Sequence, residues 1–104
     1  MNHVVLVGRL EQVPESRPAT EGYECLLELA VPRRQPGGGV EPGVSYVQVV
    51  VSWPHSRQCS ELKQHELLAV SGLVRLHEFR NDSGDWERRQ DIVADWVERL
   101  DERF

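Results

Sequence analysis

Asn2-His3-Val4-Val5-Leu6-Val7-Gly8-Arg9-Leu10 opens the chain, and Asp91-Ile92-Val93-Ala94-Asp95-Trp96-Val97-Glu98-Arg99-Leu100 nearly closes it. Both stretches are rich in the β-branched and aromatic residues that suit a pleated surface, so both read as strands. Val4, Val5, Leu6 and Val7 are apolar at consecutive positions. Successive side chains of a strand point to opposite faces, so this run predicts a first strand, 3–10, buried on both sides. A partner subunit is one source of cover for the second face. Working inward, residues 23–31 read as a second strand stopped by Pro32, which has no N–H for a ladder. Residues 44–53 read as a third strand. Residues 66–80 form a fourth, with Gly72 where a barrel strand bends or bulges, and residues 86–100 form the fifth.

The connections carry their own signals. Residues 11–22 hold Pro14 and Pro18 and read as a loop. Pro36-Gly37-Gly38-Gly39 and then Pro42-Gly43 mark a long flexible loop between the second and third strands. Pro54 suits the first turn of a helix. Residues 55–64 lack glycine and have helical spacing, with Cys59 and Leu62 facing inward. Asn81-Asp82-Ser83-Gly84-Asp85 is a turn by composition. Five strands with one short helix before the fourth give an all-β fold, the OB-fold five-stranded barrel, an architecture that binds oligonucleotides or oligosaccharides.

With 104 residues the chain is expected to be one domain over its whole length. No apolar run approaches the ~20 residues that span a bilayer, and the start carries no basic region followed by a long apolar stretch, so no membrane or secretory role is expected. Two cysteines, Cys25 and Cys59, are expected to be a reduced pair. The formal net charge is −5, which argues against duplex DNA, whose binders present a basic face. It leaves single strands open, because stacking on aromatic rings adds about 1–3 kcal/mol per base. Of the twelve basic residues only Lys63 is a lysine. Arginine grips phosphate with two parallel hydrogen bonds and also stacks on bases. The plainer reading of most of these arginines is a solvated surface.

An enzyme is not expected. His3, His55, His65 and His77 are scattered without ligand spacing, the two cysteines are far apart, and Gly37-Gly38-Gly39 opens no helix that could cradle phosphate. Neither a cofactor nor a metal is expected.

The ordered segments resemble the bacterial single-stranded DNA-binding protein family. They are Asn2 to Leu10 as quoted, Leu29-Ala30-Val31-Pro32-Arg33, Tyr46-Val47-Gln48-Val49-Val50-Val51, Glu61-Leu62-Lys63, Ala69-Val70-Ser71-Gly72 and Val93-Ala94-Asp95-Trp96-Val97-Glu98. The resemblance implies an OB barrel that assembles as a homodimer or homotetramer, pairing through the first strand at Val5 and Val7. It also implies sequence-tolerant binding of single-stranded DNA, with bases on aromatic rings, in replication, repair or recombination, and a cytoplasmic, nucleoid-associated location. Single-stranded RNA is a further ligand, because stacking does not read the sugar. By the resemblance, Tyr46 and Phe79 fall where the family stacks bases. Ser52 falls at a third such position, unless a one-residue bulge brings Trp53 there. A fourth aromatic is missing where the chain reads Arg33-Arg34-Gln35.

The residues themselves point the same way. Arg75, His77 and Phe79 alternate with Leu76 and Glu78 and so share one face of the fourth strand. Tyr46 shares a face with Gln48, while Trp53 has the opposite parity and reads either as a core cap or as a stacking ring. Trp86 follows the 81–85 turn, in a loop region that binds ligand in many OB folds. Trp96 reads as a subunit-interface or barrel-exterior residue. Arg33, Arg34, Arg75 and Arg80 are the candidate phosphate contacts. The alternative for each ring is ordinary packing. Replicative family members end in a flexible acidic tail with a terminal phenylalanine that recruits other proteins. Asp101-Glu102-Arg103-Phe104 has no linker before it and is expected to be an ordinary chain end. The chain therefore looks like a tail-less member, or one of the primosomal replication protein B type. The competing reading is a protein-interaction or assembly module that kept the barrel and lost much of the DNA face.

Overall fold

The computed structural model describes residues 2–34, 37–38 and 40–100, and the side chains of residues 34 and 40–42 lie outside that description. The elements run β1 (Val4–Leu10), β2 (Glu15–Pro18), β3 (Tyr23–Arg34), β4 (Val40–Val51), a 3-10 helix (His55–Glu61), β5 (Leu67–Arg80) and β6 (Trp86–Arg99). Hydrogen-bonded neighbours follow the order β1-β5-β6-β4-β3-β2, and β1 returns to pair with β3 at Arg9↔Ala30 and Leu10↔Leu29. That return closes β1, β5, β6, β4 and β3 into the OB barrel, with β2 laid on the outer edge of β3.

Alternation decides what goes inside. Cys25, Leu27 and Leu29 of β3 lie opposite Val51, Val49 and Val47 of β4, and these side chains point into the barrel. Leu68 and Val70 of β5, Ile92 and Ala94 of β6, and Leu10 complete the wall. The 3-10 helix plugs one end. Cys59 and Leu62 face the core as expected, and the buried Ser56 donates its hydroxyl to the Tyr23 carbonyl at 2.6 Å, tying the plug to β3.

The structure corrects four expectations. Residues 15–18 form a strand inside the expected loop. Pro32 does not end β3, which runs on to Arg34 through a register shift between Pro32 and Arg34. Such an irregularity is where a sheet tolerates proline. The expected helix is a shorter 3-10 segment. β1 is not buried on both faces within one chain: Val5 is 64% and Val7 46% exposed. The flexible loop expected at 36–43 includes positions 36 and 39, outside the described residues, and β4 already begins at Val40.

Gly72 marks a close backbone approach between β5 and β6. The β5–β6 ladder shifts register between Ser71 and Gly72, leaving Asp95 as the extra residue of a bulge. A Cβ on Gly72 would lie 2.2 Å from the Val93 carbonyl oxygen, so only glycine fits. Gly72→Ala is expected to destabilise the fold by about 1–3 kcal/mol, the usual cost of overpacking, read as a lower urea midpoint at unchanged m-value.

Cys25 and Cys59 are free, buried and hydrogen-bonded to each other. Burial raises the Cys25 thiol and pushes Cys59 from its ordinary 9.0 up to about 12. Below pH 9 both states keep these thiols neutral, so they add no pH dependence. Above it the unfolded chain releases protons that the folded chain retains. Stability is therefore expected to fall above pH 9, with Cys59 alone contributing roughly 1.4 kcal/mol per pH unit toward about 12 and Cys25 acting in the same direction. Urea titrations at pH 8 and pH 10 check this, and Cys59→Ala should flatten the decline.

Candidate nucleic-acid interface

The outward positions of four strands form one continuous surface. On β4, Tyr46 and Gln48 lie opposite Ala30 and Glu28 of β3. Val50 pairs with Val93 of β6, which pairs with Leu73 of β5. Beyond Leu73 the β5–β6 hairpin continues past the barrel rim. Arg75 lies opposite Asp91, His77 opposite Arg89, and Phe79 opposite Glu87. Directly opposed residues share a face, so Arg75, His77 and Phe79 extend the Tyr46 surface up the hairpin. Tyr46 is 61% exposed, which favours the outer-face reading over a core tyrosine.

A rigid turn holds the hairpin. The Asn81 carbonyl oxygen Oδ1 accepts from the backbone N–H groups of Ser83 and Asp85, while its amide donates to Glu87 at 3.0 Å. At the other end the Asn2 side chain pairs with both backbone groups of Val74, at 2.7 and 3.0 Å, so the start of the chain braces the base of the hairpin.

On the outer face, Arg75 forks onto Asp91, Nε to Oδ1 at 3.0 Å and Nη2 to Oδ2 at 2.8 Å. This hydrogen bonding holds the Arg75 guanidinium above its ordinary pKa. His77 Nε2 stands 3.5 Å from the same carboxylate, and the His77 and Phe79 rings lie 6.3 Å apart. The Arg89 guanidinium covers Phe79 at 4.7 Å, a cation–π contact.

Not every candidate joins this face. Arg80 lies opposite Trp86, and its guanidinium stands 5.1 Å from the ring, but this pair occupies the reverse side of the hairpin. Trp86 is 65% exposed there. Trp53 is half-buried at the plugged end, 5.2 Å from the Tyr23 ring and with Arg57 5.6 Å from its centre. Arg33 is exposed and lies against Gly43 in the β3–β4 hairpin: a Cβ on Gly43 would sit 2.5 Å from Nη2. Arg34 has its backbone paired with Val40. Trp96, 59% exposed, lies on the barrel exterior opposite Ser71, which in turn lies opposite Val5. Residues 101–104 lie outside the described residues.

Asp91 and Arg89 are members of the face that the sequence analysis missed, and a signal for both existed. Pairing outward from the 81–85 turn puts 80 against 86, hence 77 against 89 and 75 against 91. Among the described residues no group of three or more His, Cys, Asp or Glu could hold a metal, and no helix is long and apolar enough to cross a membrane.

With this geometry in hand, comparison with known proteins is specific. Residues 1–100 match the single-strand binding protein family, and the chain belongs to that family. Single-stranded DNA-binding protein 3 of Listeria innocua is 34% identical over 99% of this chain. The single-stranded DNA-binding protein of Clostridium tetani is 29% identical over 97% of it. The chain spans 66% of the length of the Listeria relative and 71% of the Clostridium one. The fold is shared with a small single-stranded DNA-binding protein from Streptomyces coelicolor, at a TM-score of 0.73 and 18% identity over 94% of this chain and 93% of that one. It is shared as well with a Plasmodium falciparum SSB solved in complex with single-stranded DNA, at a TM-score of 0.79 and 15% identity over 97% and 96% of the two chains.

Proposed function

We propose that the chain binds single-stranded DNA without strong sequence preference and is not an enzyme. The observation that carries this reading is the single outer face running from exposed Tyr46 to the Arg75, His77, Phe79 and Arg89 group. Bases stack on Tyr46 and Phe79, a sequence-tolerant mode because every base has a π-face. Trp86 with Arg80, and Trp53, offer further stations, and Arg33, Arg34 and Arg80 reach phosphates. Family membership and the names of its relatives support this reading. A role in replication, repair or recombination, and a cytoplasmic location at the nucleoid, go with it.

Tryptophan fluorescence tests it directly. Titration with a dT oligomer of a few tens of nucleotides at low salt should give saturable quenching that weakens at high salt. The Tyr46→Ala/Phe79→Ala double variant should lose most of that binding while keeping its urea midpoint. Absence of binding by the parent protein at low salt would leave the assembly-module reading as the better account. Substituting an oligo-rU ligand decides whether RNA is also taken.

The working unit in this proposal is a homodimer. Among the described residues, Val4 to Gly8 have ladder partners only on the β5 side. Val5, Val7 and Trp96 expose apolar surface beside that open edge, and an open apolar groove of about 690 Å³ adjoins it, with Val31, Pro32 and Val44 on its wall. A second copy pairing edge to edge would satisfy the backbone and cover these side chains together. Light scattering on a sizing column should give the dimer mass or a multiple of it, and Val5→Asp/Val7→Asp should give a folded monomer. A monomeric parent protein would reject this arrangement.

A further inference from the structure

The arginines differ in what their guanidinium groups already hold. Arg17 pairs with Glu24, Arg88 with Glu78, Arg99 with Glu66 and Arg75 with Asp91, all at 2.8–3.0 Å. The first three carboxylate side chains are 26–52% exposed, whereas that of Asp91 is 8% exposed. A buried carboxylate robbed of its only close fork partner is strongly destabilising. The exposed pairs exchange partners with water at little cost.

The fork geometry decides which part of Arg75 a ligand can use. Asp91 accepts from Nε and Nη2 and so occupies one edge of the guanidinium, roughly in its plane. A phosphate claiming that edge would leave Asp91 buried without its fork. A base needs only the flat face, and the side chain is 49% exposed. Guanidinium faces stack on aromatic planes. Arg75 also stands at the start of a row of flat groups on one strand face, followed by His77 and Phe79.

We propose that Asp91 is a positioning residue: it withdraws Arg75 from phosphate neutralisation and fixes its guanidinium as a stacking plane for a base, in line with His77 and Phe79. The inference rests on the single-stranded DNA reading and states how one member of that face works. It revises the expectation that Arg75 is a phosphate contact. The charged and titratable neighbours are His77 at 3.5 Å from Asp91, Arg89 across the hairpin, and Glu24 of β3, which acts on Arg75 at longer range.

The test is the dependence of dT-oligomer affinity on salt. Each phosphate neutralised on a single strand contributes about −0.7 to the slope of log K against log salt. Arg75→Gln should weaken binding about fivefold or more with the slope unchanged. Asp91→Asn keeps the shape and at most one of the two fork hydrogen bonds and removes the charge that neutralises Arg75, so the slope should steepen by about 0.7. The double variant should bind more weakly at the parent slope, whereas an Arg75 that neutralised a phosphate would leave its slope flatter by about 0.7. A slope that flattens by about 0.7 in Arg75→Gln would overturn the proposal while leaving DNA binding intact. Absence of any binding by the parent protein would overturn both. Because Arg75→Gln leaves Asp91 buried without its fork, the charge-free double variant Arg75→Gln/Asp91→Asn decides the matter if either single variant does not fold.

Discussion

The register of β5 against β6 is the constraint on which the rest of the molecule depends. From the 81–85 turn to the pair Leu73↔Val93 the two strands match one to one. Asp95 then enters as an extra residue, and the pairing resumes as Ser71↔Trp96 and Val70↔Val97. Strand side chains alternate strictly, so this single insertion changes which parity faces the core. Ile92 and Ala94 point inward before it, and Val97 packs on the core after it. Without the bulge, Trp96 would point into a barrel already filled by Leu68 and Val70. Gly72 makes the insertion feasible, because its missing side chain lets the Val93 carbonyl approach. The hydroxyl of Ser71 donates to Asp95 at 2.5 Å and holds the extra residue in place.

The same register assigns the hairpin's chemistry to two opposite surfaces. Pairing 75 with 91 and 77 with 89 brings Arg75, Asp91, His77, Arg89 and Phe79 to the outer face. Pairing 80 with 86 sends Arg80 and Trp86 to the reverse. Each surface receives an arginine over an aromatic ring. On an acidic chain this matters, because the global field does not favour a polyanion. Carboxylates neutralise several arginines pairwise, and those standing over rings present planes rather than bare charges. Binding of the proposed kind, built this way, would draw more on stacking and less on counterion release than a basic protein's.

Much of this was legible in the sequence. The two-sided apolar run of β1, the alternation in β3 and β4, the prolines and the Asn-Asp-Ser-Gly-Asp turn were enough for an all-β barrel, and Gly72 stood out as a bulge site. β2 was not legible, because Glu-Ser-Arg-Pro has no apolar period: it pairs with one edge of β3 and buries nothing. Pro32 misled because a proline is a stop signal in a regular ladder but not beside a register shift. Tyr46 and Phe79 were singled out by the resemblance, and parity on single strands put them, with Arg75 and His77, on outward faces. Asp91 escaped because it ends a polar run, Glu87 to Gln90, that reads as solvated surface. Its partner becomes visible only when the hairpin is paired from its turn, a two-strand reading that single-strand parity cannot supply.

β1 carries a pattern that a single chain does not use up. Four consecutive apolar residues suit a strand covered on two sides, yet one chain supplies a single cover. β5 and the core take Val4 and Leu6, while Val5 and Val7 remain outside. An exposed apolar strand whose backbone edge is also open invites uncontrolled pairing, and natural sheets usually blunt such edges with charge or proline. From Val4 to Gly8 this edge carries neither. The feature is a liability in a monomer and an asset in a symmetric pair, where one strand presents both the hydrogen-bonding groups and the apolar side chains that its own copy requires. At about this size a domain buries roughly two-thirds of the surface its unfolded chain exposes. Sharing a strand edge, as in the proposed dimer, would add buried apolar area to that of a single barrel.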